Sequence, residues 1–199
     1  MKIPHVRKWW VGATVAALAL LLVLLAPSGR AASRLLPAEE AERVLLAAAR
    51  EGDAELVTGL VKAGTPVECR DARGFTPLIL AAYHGQVETV EALLGSGAKA
   101  CASDGRGNTA LMGAAFKGHT AVVALLLKEP CAIDQANGLG QTALMFARLF
   151  GRGDVAALLA SAGASAAKRD LSGRSAEDWA RSQEAASPVA APVKEEKLQ

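Results

Sequence analysis

The chain has 199 residues, 51% of them apolar but only 4% aromatic, with 22 Lys and Arg against 20 Asp and Glu and three cysteines. A formal charge of +2 is too balanced for a nucleic-acid module, which needs a concentrated basic face, and so apolar a chain is not wholly disordered. Three Cys in a chain of this length exclude a disulfide miniprotein, and the composition excludes collagen and zinc-finger arrays.

From the N-terminus, Trp9 to Ala26 run without a charge, behind Lys2, Arg7 and Lys8, and no acid precedes Glu39. As a helix this run is about 27 Å long, close to the thickness of a bilayer core. Positive residues stay on the cytoplasmic side, so residues beyond 26 are expected outside the cytoplasm. Two readings of segment 1–26 stay open. The length of the run and the interfacial pair Trp9-Trp10 favour an uncleaved anchor in the inner membrane. The small residues around Ala31-Ala32-Ser33 allow a cleaved signal. A buried core helix is the plainer alternative. Removing residues 1–32 takes four basic residues and no acid, leaving 18 basic against 20 acidic; no partnership with nucleic acid can rest on the basic excess. Residues 27–37 read as a linker.

A period of 33 residues organises the rest of the chain. It runs through Gly74, Gly107, Gly140 and Gly173; through Asp71, Asp104, Asn137 and Asp170; through Thr76, Thr109, Thr142 and Ser175; and through Ala48, Ala81, Ala114, Ala147 and Ala180. Such a period marks a stack of supersecondary units, none able to bury its apolar face alone. Thr76 before Pro77 reads as a helix cap followed by the one interior position that tolerates proline. Gly85 supplies the positive φ that ends the first helix of its unit. Val87, Val90, Leu93 and Leu94 then lie on one face of a second helix. The segment from Asp71 through Gly-Phe-Thr-Pro-Leu to Gly85, with Val90, Leu93-Leu94 and Gly97-Ala98 after it, resembles the ankyrin repeat. The resemblance implies an all-α solenoid over residues 38–182, with full units 38–70, 71–103, 104–136 and 137–169 and a closing half-unit, 170–182. Residues 183–199 read as a disordered tail. Three departures stand out. The first unit lacks the Gly-x-Thr-Pro-Leu opening, Pro130 replaces the Gly of its sister units, and Arg148 replaces a small Ala and is expected to crowd the stack.

In ankyrin arrays the partner meets the concave face, built from loop tips and the exposed side of each first helix. Carried over by position, that face comprises Arg73, Phe75, Tyr83 and His84 in unit two and Arg106, Asn108, Phe116 and Lys117 in unit three. Unit four adds Gln141, Leu149 and Phe150, beside Leu139, and the half-unit adds Arg174. Aromatic residues and Arg are the types enriched at binding hot spots; the plainer reading is that the rings pack sideways between units. His119 is a structural hydrogen-bonding position. Cys131 fills the small slot held by Ala98 and Ala164 and reads as core packing. Cys69 and Cys101 lie in neighbouring turns about 10 Å apart, too far for a disulfide unless their offset brings the Cα atoms within about 7 Å.

No nucleophile–base set, paired carboxylates, phosphate loop or metal spacing is visible, so no enzyme, cofactor, metal or small-molecule substrate is expected. The sequence leads to a non-enzymatic module binding another protein in the periplasm, and its Ala-, Leu-, Gly- and Arg-rich composition suggests a Gram-negative bacterium. The resemblance to exported bacterial ankyrin proteins implies two narrower roles, supporting peroxide resistance beside a catalase or neutralising a toxic enzyme as an immunity protein. Thiol redox chemistry through Cys69 and Cys101 is the outsider.

Overall fold

The computed structural model describes residues 36–186; the apolar run 9–26 and the tail beyond 186 lie outside the described residues. Nine α-helices appear among them: α1 (Ala38–Glu51), α2 (Ala54–Lys62), α3 (Pro77–His84), α4 (Val87–Gly95), α5 (Ala110–Lys117), α6 (Thr120–Leu126), α7 (Ala143–Leu149), α8 (Gly153–Ser161) and α9 (Ala176–Ala186). None of these is long and apolar enough to cross a membrane. There are no strands among the described residues, only isolated bridges between Ser103 and Thr109 and between Arg169 and Ser175.

The helices form two rows. First helices α1, α3, α5, α7 and α9 pack in succession, second helices α2, α4, α6 and α8 do the same behind them, and each unit's two helices pack together. Small residues make this close stacking possible: Ala81, Ala82, Ala114, Ala115 and Ala147 are wholly buried between first helices. Leu45, Leu78, Leu144, Val57, Val90, Val122 and Val155 fill the layer between the rows, each such side chain contributing about 1.5–3 kcal/mol.

The caps match the residue types. The hydroxyls of Thr76, Thr109 and Thr142 accept the N–H groups of Ile79, Met112 and Met145 at 3.2, 3.3 and 3.4 Å. Second helices α4, α6 and α8 begin differently. Their N-cap residues Gln86, His119 and Arg152 make no cap to their own helix. Instead they reach back one unit and donate to the carbonyls of Arg50, Tyr83 and Phe116 at 3.1, 3.2 and 3.1 Å, groups that a helix C-terminus leaves unpaired. His119 therefore donates from Nε2, and its ring lies where a Cβ on Gly85 (φ 77°) would stand, 2.7 Å away. Its structural role is thus the expected one.

The loop tips are joined main chain to main chain. Gly105 N–H donates to Arg73 O at 3.1 Å, Gly138 N–H to Arg106 O at 2.9 Å and Leu171 N–H to Leu139 O at 2.9 Å. Within each tip the residue at the Asp71 position holds the turn: Asp71 Oδ1 accepts from the N–H groups of Arg73 and Phe75, and Asp104 Oδ1 from those of Arg106 and Asn108. The half-unit closes with a reciprocal cap. Asp178 accepts from the N–H and hydroxyl of Ser175 at 2.8 Å, while Ser175 Oγ accepts the Asp178 N–H at 3.3 Å. Those two Ser175 donors, outweighing desolvation and helped by the adjoining Arg181, hold the Asp178 carboxyl down at about 2.

The cysteine expectations are corrected. Cys101 and Cys131 form a disulfide, with Cα atoms 5.5 Å apart, and Cys69 is free and buried. The pairing joins positions offset by three within neighbouring repeats, so it runs diagonally and bridges the gap that equal positions cannot. The backbone at Pro130, next to this bond, departs from the sister units. Units one, two and four close their second helix with N–H bonds from Thr65 to Leu60 O, Ala98 to Leu93 O and Ala164 to Leu159 O; in unit three the Cys131 N–H turns instead to Glu129 O. Glu68 and Asp134 accept the N–H groups of Lys99 and Ser165 in the next unit, and Cys101 occupies the same repeat position. At the step between units two and three the disulfide takes the place of this carboxylate contact. Cys131 is accordingly a covalent tie, not mere packing. Arg148 does not crowd the stack: it is exposed, and α9 packs on α7 as α7 packs on α5.

Candidate functional site

The loop tips and first helices present one face along the stack, and its centre is a row of rings. Tyr83 on α3 and Phe116 on α5 stand at equivalent positions and stack with centroids 5.8 Å apart and 15° between planes. Phe150, at the end of α7, meets Phe116 edge to face at 4.4 Å, and Phe146 lies beneath at 6.4 Å. Sideways packing between units and outward display are thus the same arrangement. The pairs contribute about 0.5–1.5 kcal/mol each, yet Tyr83 stays 38% and Phe150 39% exposed. Leu149 is half-buried beside this row.

Cations flank the rings. Lys117 Nζ lies 5.3 Å from the Tyr83 centroid, and Arg73 Cζ lies 4.6 Å above Phe75, which is half-buried against the core. Arg106 projects from the next tip, exposed. His84 is exposed and touches Tyr83 edge on at 5.4 Å. Partial desolvation, then the charges of Arg50 and Lys117, hold its imidazole below the ordinary value despite the opposing Glu51. At the far end Arg174 Cζ sits 3.5 Å over the Trp179 ring, whose Nε1–H donates to Asp170 Oδ2 at 3.0 Å.

Asn108 and Gln141 are engaged internally. The Asn137 amide donates to Asn108 Oδ1 at 2.8 Å and Gln141 Oε1 at 3.2 Å, and Asn108 donates in turn to Asp104. The Asn137–Asn108 bond ties units three and four together under the tips, while the Gln141 bond stays within unit four. Leu171 joins this face without having been among the expected positions; at 78% it is the most exposed large apolar side chain of the described residues. It sits at the tip position of Ala72, Gly105 and Gly138, and extending the 33-residue period by one unit locates it.

Among the described residues no group of three His, Cys, Asp and Glu is placed to hold a metal. A cavity beside the disulfide, lined by Leu111, Met112, Cys131 and Ile133, measures about 20 Å³, the room of a single water. Burial, then the charge of Glu42, pushes the Cys69 thiol up to about 11, and Cys101 is bonded elsewhere, so the two form no redox pair.

No curated protein matches the chain significantly. The family model described as ankyrin repeats (three copies) matches residues 16–104 and 96–170. Together with the stacked helix pairs, the Thr caps and the joined tips, this match settles the family: the chain belongs to the ankyrin repeat proteins, whose arrays serve as protein-interaction modules.

Proposed function

We propose that the chain is a non-enzymatic binding module of the periplasm that docks another protein on the face formed by its tips and first helices. One observation carries this reading: Tyr83, Phe116 and Phe150, from three successive units, form a continuous ring row in which Tyr83 and Phe150 are exposed and Phe116 between them is half-buried, with Lys117 Nζ 5.3 Å from the Tyr83 centroid and exposed Arg73 and Arg106 on the neighbouring tips. Aromatic and Arg side chains gathered on one surface are the chemistry of interface hot spots.

Export is supported by the cations ahead of the uncharged run 9–26 and by the Cys101–Cys131 disulfide, a bond that persists in oxidising compartments. The length of the run supports an anchored form over release. Protease accessibility in spheroplasts separates the two, and a protease-resistant repeat domain refutes export.

Affinity capture from the native envelope, with wild type and a Tyr83→Ala/Phe116→Ala/Phe150→Ala variant of unchanged circular dichroism, tests the site. Loss of a captured protein by the variant is the expected result; an identical captured set overturns the assignment. A captured catalase assigns the peroxide-resistance role, and a captured enzyme whose activity falls on binding assigns the immunity role.

A further inference from the structure

The row of tips changes chemistry along the stack. At one repeat position units two and three carry Arg73 and Arg106, whereas unit four carries Leu139. Leu139 is 62% exposed, and Leu171 and Phe150 stand open at the same end. The carboxylates beside the two guanidiniums are committed inward. Asp71 accepts from the N–H groups of Arg73 and Phe75 at 2.9 and 3.0 Å, and Asp104 from those of Arg106 and Asn108, both at 2.8 Å. Arg73 keeps a single ion-pair contact, 4.0 Å from Asp71, with 72% of its side chain exposed. Among the described residues Arg106 and Lys117 have no ion pair.

We infer that this face takes an extended acidic–apolar polypeptide segment, its carboxylates against Arg73 and Arg106 and its apolar side chains against Leu139, Leu171 and Phe150. The inference rests on the protein-binding reading and adds the partner's chemistry and orientation. Packed helices lie about 8–10 Å apart and an extended chain rises about 3.3 Å per residue, so every third partner residue meets the next tip. Mixed polarity on the face favours such a segment over a uniformly anionic surface, which would leave the Leu139 and Leu171 end unmatched.

The test uses a fluorescein-labelled peptide with Glu at its first and fourth positions, Leu at its seventh and tenth, and Ser between, and a counterpart with Lys in place of Glu. Anisotropy is measured with the full-length chain at low and high salt. Saturable binding of the Glu peptide, weakened by salt, and none of the Lys peptide are expected. Arg73→Gln/Arg106→Gln should weaken binding about tenfold and remove most of the salt dependence. Leu139→Ser/Leu171→Ser should weaken binding and keep it salt-dependent. All four side chains are exposed, so circular dichroism should not change. Equal binding of the Lys peptide, no binding of the Glu peptide, or indifference to the Arg pair overturns the inference. So does sedimentation of the chain with phosphatidylglycerol vesicles through the same two Arg, which reassigns the cations to a lipid surface. A captured envelope protein that needs the ring row but not the Arg pair defeats this inference alone; one that needs neither defeats the parent reading.

Discussion

Replacing Cys101 and Cys131 together by Ala removes a covalent tie across a sequence separation of 30 residues. For a loop of that length the chain-entropy relation gives about 12 cal/mol/K, or about 3.6 kcal/mol at 25 °C, taken from the unfolded state. At the disulfide, units two and three keep only an exposed side-chain bond, from Gln135 Nε2–H to Cys101 O at 3.2 Å. Pro130 stands where Gly64, Gly97 and Gly163 close the sister units, and no carboxylate occupies position 101 to accept from the next unit. The variant, or wild type under reductant, is therefore expected to lose about 3–4 kcal/mol. At a urea slope of about 2 kcal/mol/M this lowers the midpoint by about 2 M. Urea unfolding monitored by circular dichroism measures the shift. A non-reducing tryptic map should link peptide 100–106 to peptide 129–148 and leave 63–70 free. A linkage of 63–70 to 100–106, or a midpoint indifferent to reductant, would refute the reasoning.

Thr89 is wholly buried and its hydroxyl has no hydrogen-bond partner, while Val122 and Val155 fill the same position in later units; Thr89→Val should stabilise by about 1 kcal/mol, and a lowered urea midpoint would contradict this. Gly74 has φ 83°, and a Cβ there would stand 2.7 Å from Gly105 N, itself bonded to Arg73 O. Gly74→Ala should cost at least about 1–2 kcal/mol; an unchanged midpoint would show that the tips do not support the stack. Asp178 titrates at about 2 in the folded chain against about 3.9 when unfolded. Its contribution is therefore present above about pH 4 and lost as pH falls towards 2. Over that window Asp178→Asn should show a flatter loss of stability than wild type, and parallel curves would dismiss the cap.

Much of the stack is written in residue types that recur at a fixed step. Thr76, Thr109 and Thr142 do the same job with the same chemistry, so a ladder of identical letters reveals it. The backward-reaching position is harder to see, because Gln86, His119 and Arg152 perform one task with three different side chains. Only geometry shows that each meets a carbonyl of the preceding unit. The disulfide was illegible for a related reason. The period compares equal positions, whereas Cys101 and Cys131 meet across a diagonal offset of three. At the candidate site, Tyr83, Phe116 and Phe150 declared themselves as rings on positions the repeat does not need for packing. Asn108 and Gln141 looked equally available, but Asn137 engages both, a contact that depends on how neighbouring tips are registered.

The ribbon that joins the tips is made only of peptide groups, Gly105 to Arg73, Gly138 to Arg106 and Leu171 to Leu139. Its cohesion is therefore blind to which side chains those residues carry, apart from the glycines that allow the close approach. Mutation can rewrite the outward letters at positions 73, 106 and 139 while the scaffold keeps its form. Recognition and architecture can thus evolve on separate clocks, and descendants of this gene could acquire new quarry without refolding.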